Sequence, residues 1–133
     1  MSAPTDELLA PVSPGELIDK ITILAIKSRR IGDPVKLANV RTELDALRGC
    51  WQASRYGKED VAREEAELTA VNERLWDIED RIRDKERLRV FDAEFIELAR
   101  AVYVENDQRA AVKKRINLAL GSSLVEEKSY AAY

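Results

Sequence analysis

Ser13-Pro14-Gly15-Glu16-Leu17-Ile18-Asp19-Lys20-Ile21-Thr22-Ile23-Leu24 opens on a helix start signal and continues in a helical period. Ser13 offers a hydroxyl at the N-cap and Pro14 suits the first helical position. Glu16 places a carboxylate where it can reach back to the cap amide, completing a capping box. The stripe that follows is Leu17, Ile21, Leu24 and Ile31, widened by Ile18 and Ala25. Gly32, after Arg29 and Arg30, marks the expected end. Asp33-Pro34 repeats the cap-and-proline device at once. From there Leu37, Val40, Leu44, Leu47 and Trp51 recur in an uninterrupted 3-4-3-4 rhythm to about Arg55, closed by Tyr56-Gly57.

The third segment, from Lys58 to about Arg89, has 19 charged residues among 32. Such a density describes a solvated helix laced with i,i+4 pairs, whose stripe of Val61, Leu68, Val71, Leu75, Ile78 and Ile82 needs only one side. At 1.5 Å per residue it would reach about 48 Å, longer than a compact four-helix domain needs, so it is expected to project or to pair with a second subunit. Asp92 caps the fourth segment, whose stripe of Phe95, Leu98, Val102, Ile116 and Leu120 crosses the polar stretch Glu105-Asn106-Asp107-Gln108; the period permits one long helix or a break there. Gly121 suits the position after its end. The fold class expected is all-α, an antiparallel bundle of about four amphipathic helices with a long charged third helix. Residues 1–12 read as a flexible N-terminal segment, 13–121 as the helical domain, and 122–133 as a tail docked through Leu124, Val125, Tyr130 and Tyr133.

The chain has 133 residues, 25 acidic and 22 basic side chains, no histidine and one cysteine. A net charge of −3 gives no field for a polyanion, so nucleic acid is not an expected partner. Without histidine the chain lacks the commonest metal ligand and the neutral-pH acid–base group. Cys50, alone, reads as an ordinary buried thiol in a reducing compartment. The acidic N-terminus and the lack of an apolar run near 20 residues point to a cytoplasmic protein with no membrane insertion.

The densest group of candidate residues is on the third helix, where Asn72, Trp76, Glu79 and Arg83 follow at four, three and four residues and share one face bordering the core stripe. That face is either a polar pocket for a ligand between helices, or a buried amide that sets register beside a Glu79–Arg83 pair. Asn106, Asp107 and Arg109 interrupt the apolar seam of the fourth helix, with Asn117 three turns on, as a register device, a kink or a site. Glu94 and Glu97 form an E-x-x-E pair that could hold magnesium with Asp80. Their place in the first turn after Asp92 is better explained by the helix dipole, so no metal and no cofactor are expected, with magnesium as the alternative. Lys113-Lys114-Arg115 reads as a solvated face, and Asp19, Lys20 and Lys27 as partners for the acidic third helix.

Five strings, Ser13 to Leu24, Lys36-Leu37-Ala38-Asn39-Val40, Leu75-Trp76-Asp77-Ile78-Glu79-Asp80, Phe95-Ile96-Glu97-Leu98-Ala99-Arg100 and Glu126-Glu127-Lys128-Ser129-Tyr130, together resemble a family of small bacterial proteins catalogued only as a domain of unknown function. The resemblance runs from Ser13 to Tyr130. It implies a bacterial, cytosolic, all-helical protein, loosely associated with surface-glycan biosynthesis, and it assigns no residue a chemical role. Two functions therefore stand as expectations. One is a non-enzymatic interaction or dimerisation module, a homo-oligomer or a partner of another protein. The other is a small magnesium-dependent or ligand-binding helical enzyme acting on a phosphorylated or anionic metabolite.

Overall fold

The computed structural model describes residues 6–133. Four helices follow one another: α1 Pro14–Arg30, α2 Pro34–Ala53, α3 Ala62–Leu88 and α4 Ala93–Ala119. Among the described residues there is no strand. The expected flexibility of residues 1–12 falls partly outside the described residues, and residues 6–12 are exposed and carry no helix.

The cap signals act as their chemistry dictates. Ser13 Oγ accepts from the Glu16 amide at 3.2 Å, Asp33 Oδ1 from the Val35 amide at 2.9 Å, and Asp92 Oδ1 from the Phe95 amide at 3.0 Å. Each satisfies a donor that the first helical turn leaves free. α1 stops at Arg30 with Ile31 extended and not through a left-handed Gly32. α3 begins at Ala62, four residues later than expected. Turns close over residues 54–59 through Gly57 N to Ser54 O and Glu59 N to Tyr56 O, and the Asp60 carboxylate takes the Ala62 amide at 3.1 Å. α4 runs unbroken through Glu105-Asn106-Asp107-Gln108, a stretch with neither glycine nor proline to stop it. Gly121, at φ +67°, and the Ser122 amide on Asn117 O at 2.9 Å terminate it in a Schellman turn.

α3 and α4 form an antiparallel hairpin tied along its length by Arg115–Glu67, Arg74–Glu105 at 2.9 Å, Arg81–Glu94 at 2.7 Å and Lys85–Asp92 at 2.9 Å. α1 lies against both helices, antiparallel to α4. α2 packs on α1 alone. The core is therefore a three-helix centre of Ile18, Ile21, Leu24, Val61, Leu68, Val112 and Ile116, with Leu44 as the one fully buried side chain of α2. Val40, Leu47 and Trp51 of α2 stay half-buried because nothing among the described residues covers the far side of that helix. At Gly15 the backbone of α1 comes close against α4. Its amide donates to Asn117 Oδ1 at 2.7 Å, and a Cβ there would stand 2.5 Å from Lys113 O, so the crossing depends on glycine.

α1 ends opposite Asp77, which Arg30 holds at 2.7 Å. Residues 78–88 continue past it for about 16 Å at the helical rise. The long third helix thus projects as part of the hairpin. Leu88, Phe91 and Ile96 are exposed at its end, where Phe91 and Phe95 meet edge to face at 5.1 Å.

Candidate functional site

A groove of about 480 Å³ opens between α1, α3 and α4, lined by Asn72, Trp76, Glu79 and Arg83 of α3 and by Asn106 and Arg109 of α4. Six of the seven residues expected to form a polar face are therefore brought together. The seventh, Asp107, is one position past Asn106 on the helix and points elsewhere, accepting the Tyr133 hydroxyl at 2.6 Å. Ile23, Ile26, Leu75 and Val102 supply apolar wall between the polar groups.

The groove has an ordered polar edge because α1 places a buried carboxylate behind it. Asp19 is fully buried. Its Oδ1 accepts from Arg109 Nε at 3.0 Å and its Oδ2 from Arg109 Nη2, and Oδ1 also accepts from Asn72 Nδ2 at 2.9 Å. Asn72 Nδ2 also reaches Thr22 Oγ1 at 3.0 Å, and that hydroxyl donates to Asp19 O at 2.7 Å. Every buried side-chain nitrogen and oxygen among the described residues has a partner. A charge taken out of water needs such an enclosure, and the fork of Arg109 fits a carboxylate with two parallel bonds. The result is a guanidinium fixed in direction at the rim of the groove.

Asn72 is the buried amide that ties α3 to α1, and Arg83 Nε pairs with Glu79 Oε2 at 3.0 Å, while the same residues line an open concavity. Each guanidinium lining the groove is consequently engaged by a carboxylate, Arg83 by Glu79 and Arg109 by Asp19. Asp80 adds a negative charge to the wall. Trp76 is half-buried, with the Arg30 guanidinium 5.5 Å from its ring centroid.

Three sequence expectations are corrected. Asp19 pairs with α4 and not with the acidic third helix, and the ion pairs from α1 to α3 are Arg29–Glu73 and Arg30–Asp77, both at 2.7 Å. Lys20 and Lys27 instead border a depression with Glu43 of α2. Lys113 is no solvated residue; it is buried, its ammonium 2.5 Å from Glu16 and 2.9 Å from Glu126. Cys50 is exposed, since it lies on the uncovered side of α2. Glu94, Glu97 and Asp80 are not gathered. Glu94 is held by Arg81 and Lys85, and no group of three acidic or cysteine side chains converges among the described residues.

Beyond Arg109 the rim continues into a polar cleft with Glu16, Lys113, Glu126 and Lys128, and then into a cleft between α4 and residues 128–133. The tail is held by ion pairs and by Tyr133, whose ring meets Tyr103 edge to face and whose hydroxyl donates to Asp107. Glu126 takes Lys113, Glu127 takes Lys114 at 3.1 Å, and Tyr130 and Tyr133 stay exposed. Burial alone would push the Lys113 ammonium down, but its bonds to Glu126 and Glu16 outweigh that and hold it above the ordinary lysine range. The same bond holds the Glu126 carboxyl below the usual carboxylate range. Donation to Asp107 pushes the Tyr133 phenol up.

These shifts fix the sign of the tail's pH dependence. A carboxyl depressed in the docked state strengthens docking above about pH 4.3, the free glutamate value, and that contribution is lost as pH falls through the depressed value. A phenol raised in the docked state contributes below about pH 10 and is lost as pH rises through the raised value. Amide NMR of residues 124–133 is expected to show tail signals moving to random-coil positions in acid from the Glu126 end, and in base from the Tyr133 end. Shifts that stay constant from pH 7 to pH 3 would count against the Lys113–Glu126 anchor.

No helix among the described residues is long and apolar enough to cross a membrane. Comparison with protein-family models, with curated proteins and with solved structures finds no match.

Proposed function

We propose that the chain is a non-enzymatic binding module whose groove between α1, α3 and α4 takes a neutral, hydroxyl-rich small molecule of sugar size. The observation that carries this is the pairing of every lining guanidinium with a carboxylate. Such groups keep free donor and acceptor positions for hydroxyls but offer no uncompensated positive charge to a phosphate. Planar amides, carboxylates and guanidinia around apolar wall and an indole complement a ring that has polar edges and C–H faces. The groove volume, about 480 Å³, is within the range of small-molecule sites. The reading agrees with the resemblance to proteins associated with surface-glycan biosynthesis.

The same residues offer no opposed pair of carboxylates. Glu79 and Asp80 are consecutive on one helix, so they cannot face each other across a scissile bond, and Glu79 is tied to Arg83. Saturation-transfer NMR with glucose, galactose and N-acetylglucosamine is expected to show contact from at least one of them, weakened at least tenfold by Trp76→Ala. Binding of inorganic phosphate or a nucleotide in place of any sugar, with magnesium dependence lost in Glu97→Gln, would favour the alternative of an enzyme acting on an anionic metabolite.

Self-association has its own support in the projecting end of the hairpin, where Leu88, Phe91 and Ile96 are exposed together. Light scattering after size exclusion is expected to give about twice the 15.1 kDa chain mass, reverting to the single-chain mass in Phe91→Lys. A monomer at tens of micromolar would remove this part of the reading. The lone Cys50, exposed on α2 with no disulfide, supports a cytoplasmic setting.

A further inference from the structure

The groove does not end at Arg109. Val102 and Asn106, one turn apart on α4, line it on one side and on the other line a separate cleft of about 710 Å³ closed by the tail. That second cleft is rich in tyrosine. Tyr103 and Tyr133 meet edge to face with centroids 5.1 Å apart, and Tyr130 stands beside them 81% exposed with the Lys128 ammonium 5.4 Å from its ring.

The tail is positioned without the Tyr130 ring. Glu126 on Lys113, Glu127 on Lys114 and the Tyr133 hydroxyl on Asp107 hold it at three points spread over α4. A ring that anchors a tail is expected inside the core, where burial stabilises it. Tyr130 is instead carried in the open, at the edge of a cleft whose other walls are apolar at Val102, Ala131 and Ala132 and polar at Asn106 and Asp107. Tyrosine supplies contact area at small conformational cost together with a polar tip, the combination that recognition surfaces use.

We propose that the tail builds a second subsite for the same ligand, so that the site is bipartite and its ligand is a chain of at least two hydroxyl-rich rings, an oligosaccharide and not a free monosaccharide. One unit lies in the groove against Trp76, and the chain crosses α4 at Val102 and Asn106 to place a further unit against Tyr130 and Tyr103. The inference rests on the groove reading above, and chain length separates the two. Arg109, held rigid by Asp19, stands beside the crossing.

The test is calorimetric titration of the full chain with glucose, cellobiose and cellotetraose, and with N-acetylglucosamine and its di- and tetrasaccharide. In the series that binds, the tetrasaccharide is expected to bind at least tenfold more tightly than its monosaccharide. Tyr130→Ala, at an exposed position whose loss leaves the core intact, is expected to remove most of that gain and to leave the monosaccharide affinity unchanged. Trp76→Ala is expected to weaken every member. Equal affinity along the series, or a tetrasaccharide that Tyr130→Ala leaves untouched, overturns the second subsite while the groove stands. Absence of binding by every sugar at millimolar concentration overturns both.

Discussion

Asp19→Ala is expected to lower the unfolding free energy by about 3 kcal/mol. Removing one partner of a buried ion pair leaves the other charge uncompensated, which typically costs about 3–5 kcal/mol. The lower end applies here because the Arg109 side chain is 29% exposed and can turn toward water. Asn72 also loses an acceptor, though Thr22 Oγ1 remains to it at 3.0 Å. A second variant isolates the cause. Asp19→Ala combined with Arg109→Met removes both charges and is expected to recover more than half of the loss, since paired removal is often neutral while single removal is not. Urea titration with unchanged slope measures both. If the double variant were as unstable as the single one, Asp19 would act through packing and not through its charge.

That network also marks the boundary of what the amino-acid sequence makes legible. Local chemistry was readable wherever one helical turn decided the outcome. The caps at Ser13, Asp33 and Asp92 each need only a side-chain oxygen and an amide three residues on, so they could be placed without tertiary information. The stripes of α1 and α3 likewise follow from period alone. The position of α2 did not. Its 3-4-3-4 rhythm is as regular as any in the chain, yet Leu44 alone is buried, because a stripe states which side is apolar and not how many neighbours arrive to cover it. The start of α3 differs from its charge pattern for another reason: residues 58–60 are as polar as the helix that follows, and the turn chemistry of Gly57 and Asp60 decides where the helix begins.

The groove was half legible. Asn72, Trp76, Glu79 and Arg83 could be put on one face from spacing, and Asn106 and Arg109 could be seen to break a seam. What joins them is Asp19, 90 residues from Arg109 in the chain, and no periodicity reports a contact across that distance. A signal for Lys113 was nevertheless present. Asn106, Arg109, Lys113 and Asn117 follow at three, four and four residues, so one polar face runs along the C-terminal half of α4 against α1. Reading Lys113-Lys114-Arg115 as a triplet concealed it, because adjacent residues on a helix face different ways: Lys113 is buried between Glu16 and Glu126 while Arg115 turns to Glu67.

Leu68→Ala is expected to be the most damaging apolar truncation, costing roughly 4 kcal/mol within the range of about 2–5 for buried leucine. Leu68 is completely buried at the meeting point of Ile18, Ile21, Leu24 and Ile116, so the space left by its methyl groups is closed on every side. Leu75, two turns along the same stripe, has equal standing in the periodicity and a different surrounding. It is half-buried and forms part of the groove wall. Truncation there widens an opening that water already enters, so the cavity part of the penalty falls away and less than about 2 kcal/mol remains. The comparison tests stability and site together, since the difference between the two leucines exists only if the groove is open. Equal losses in denaturant titration would mean that α1, α3 and α4 close over Leu75 in solution, and the binding reading would lose the cavity on which it depends.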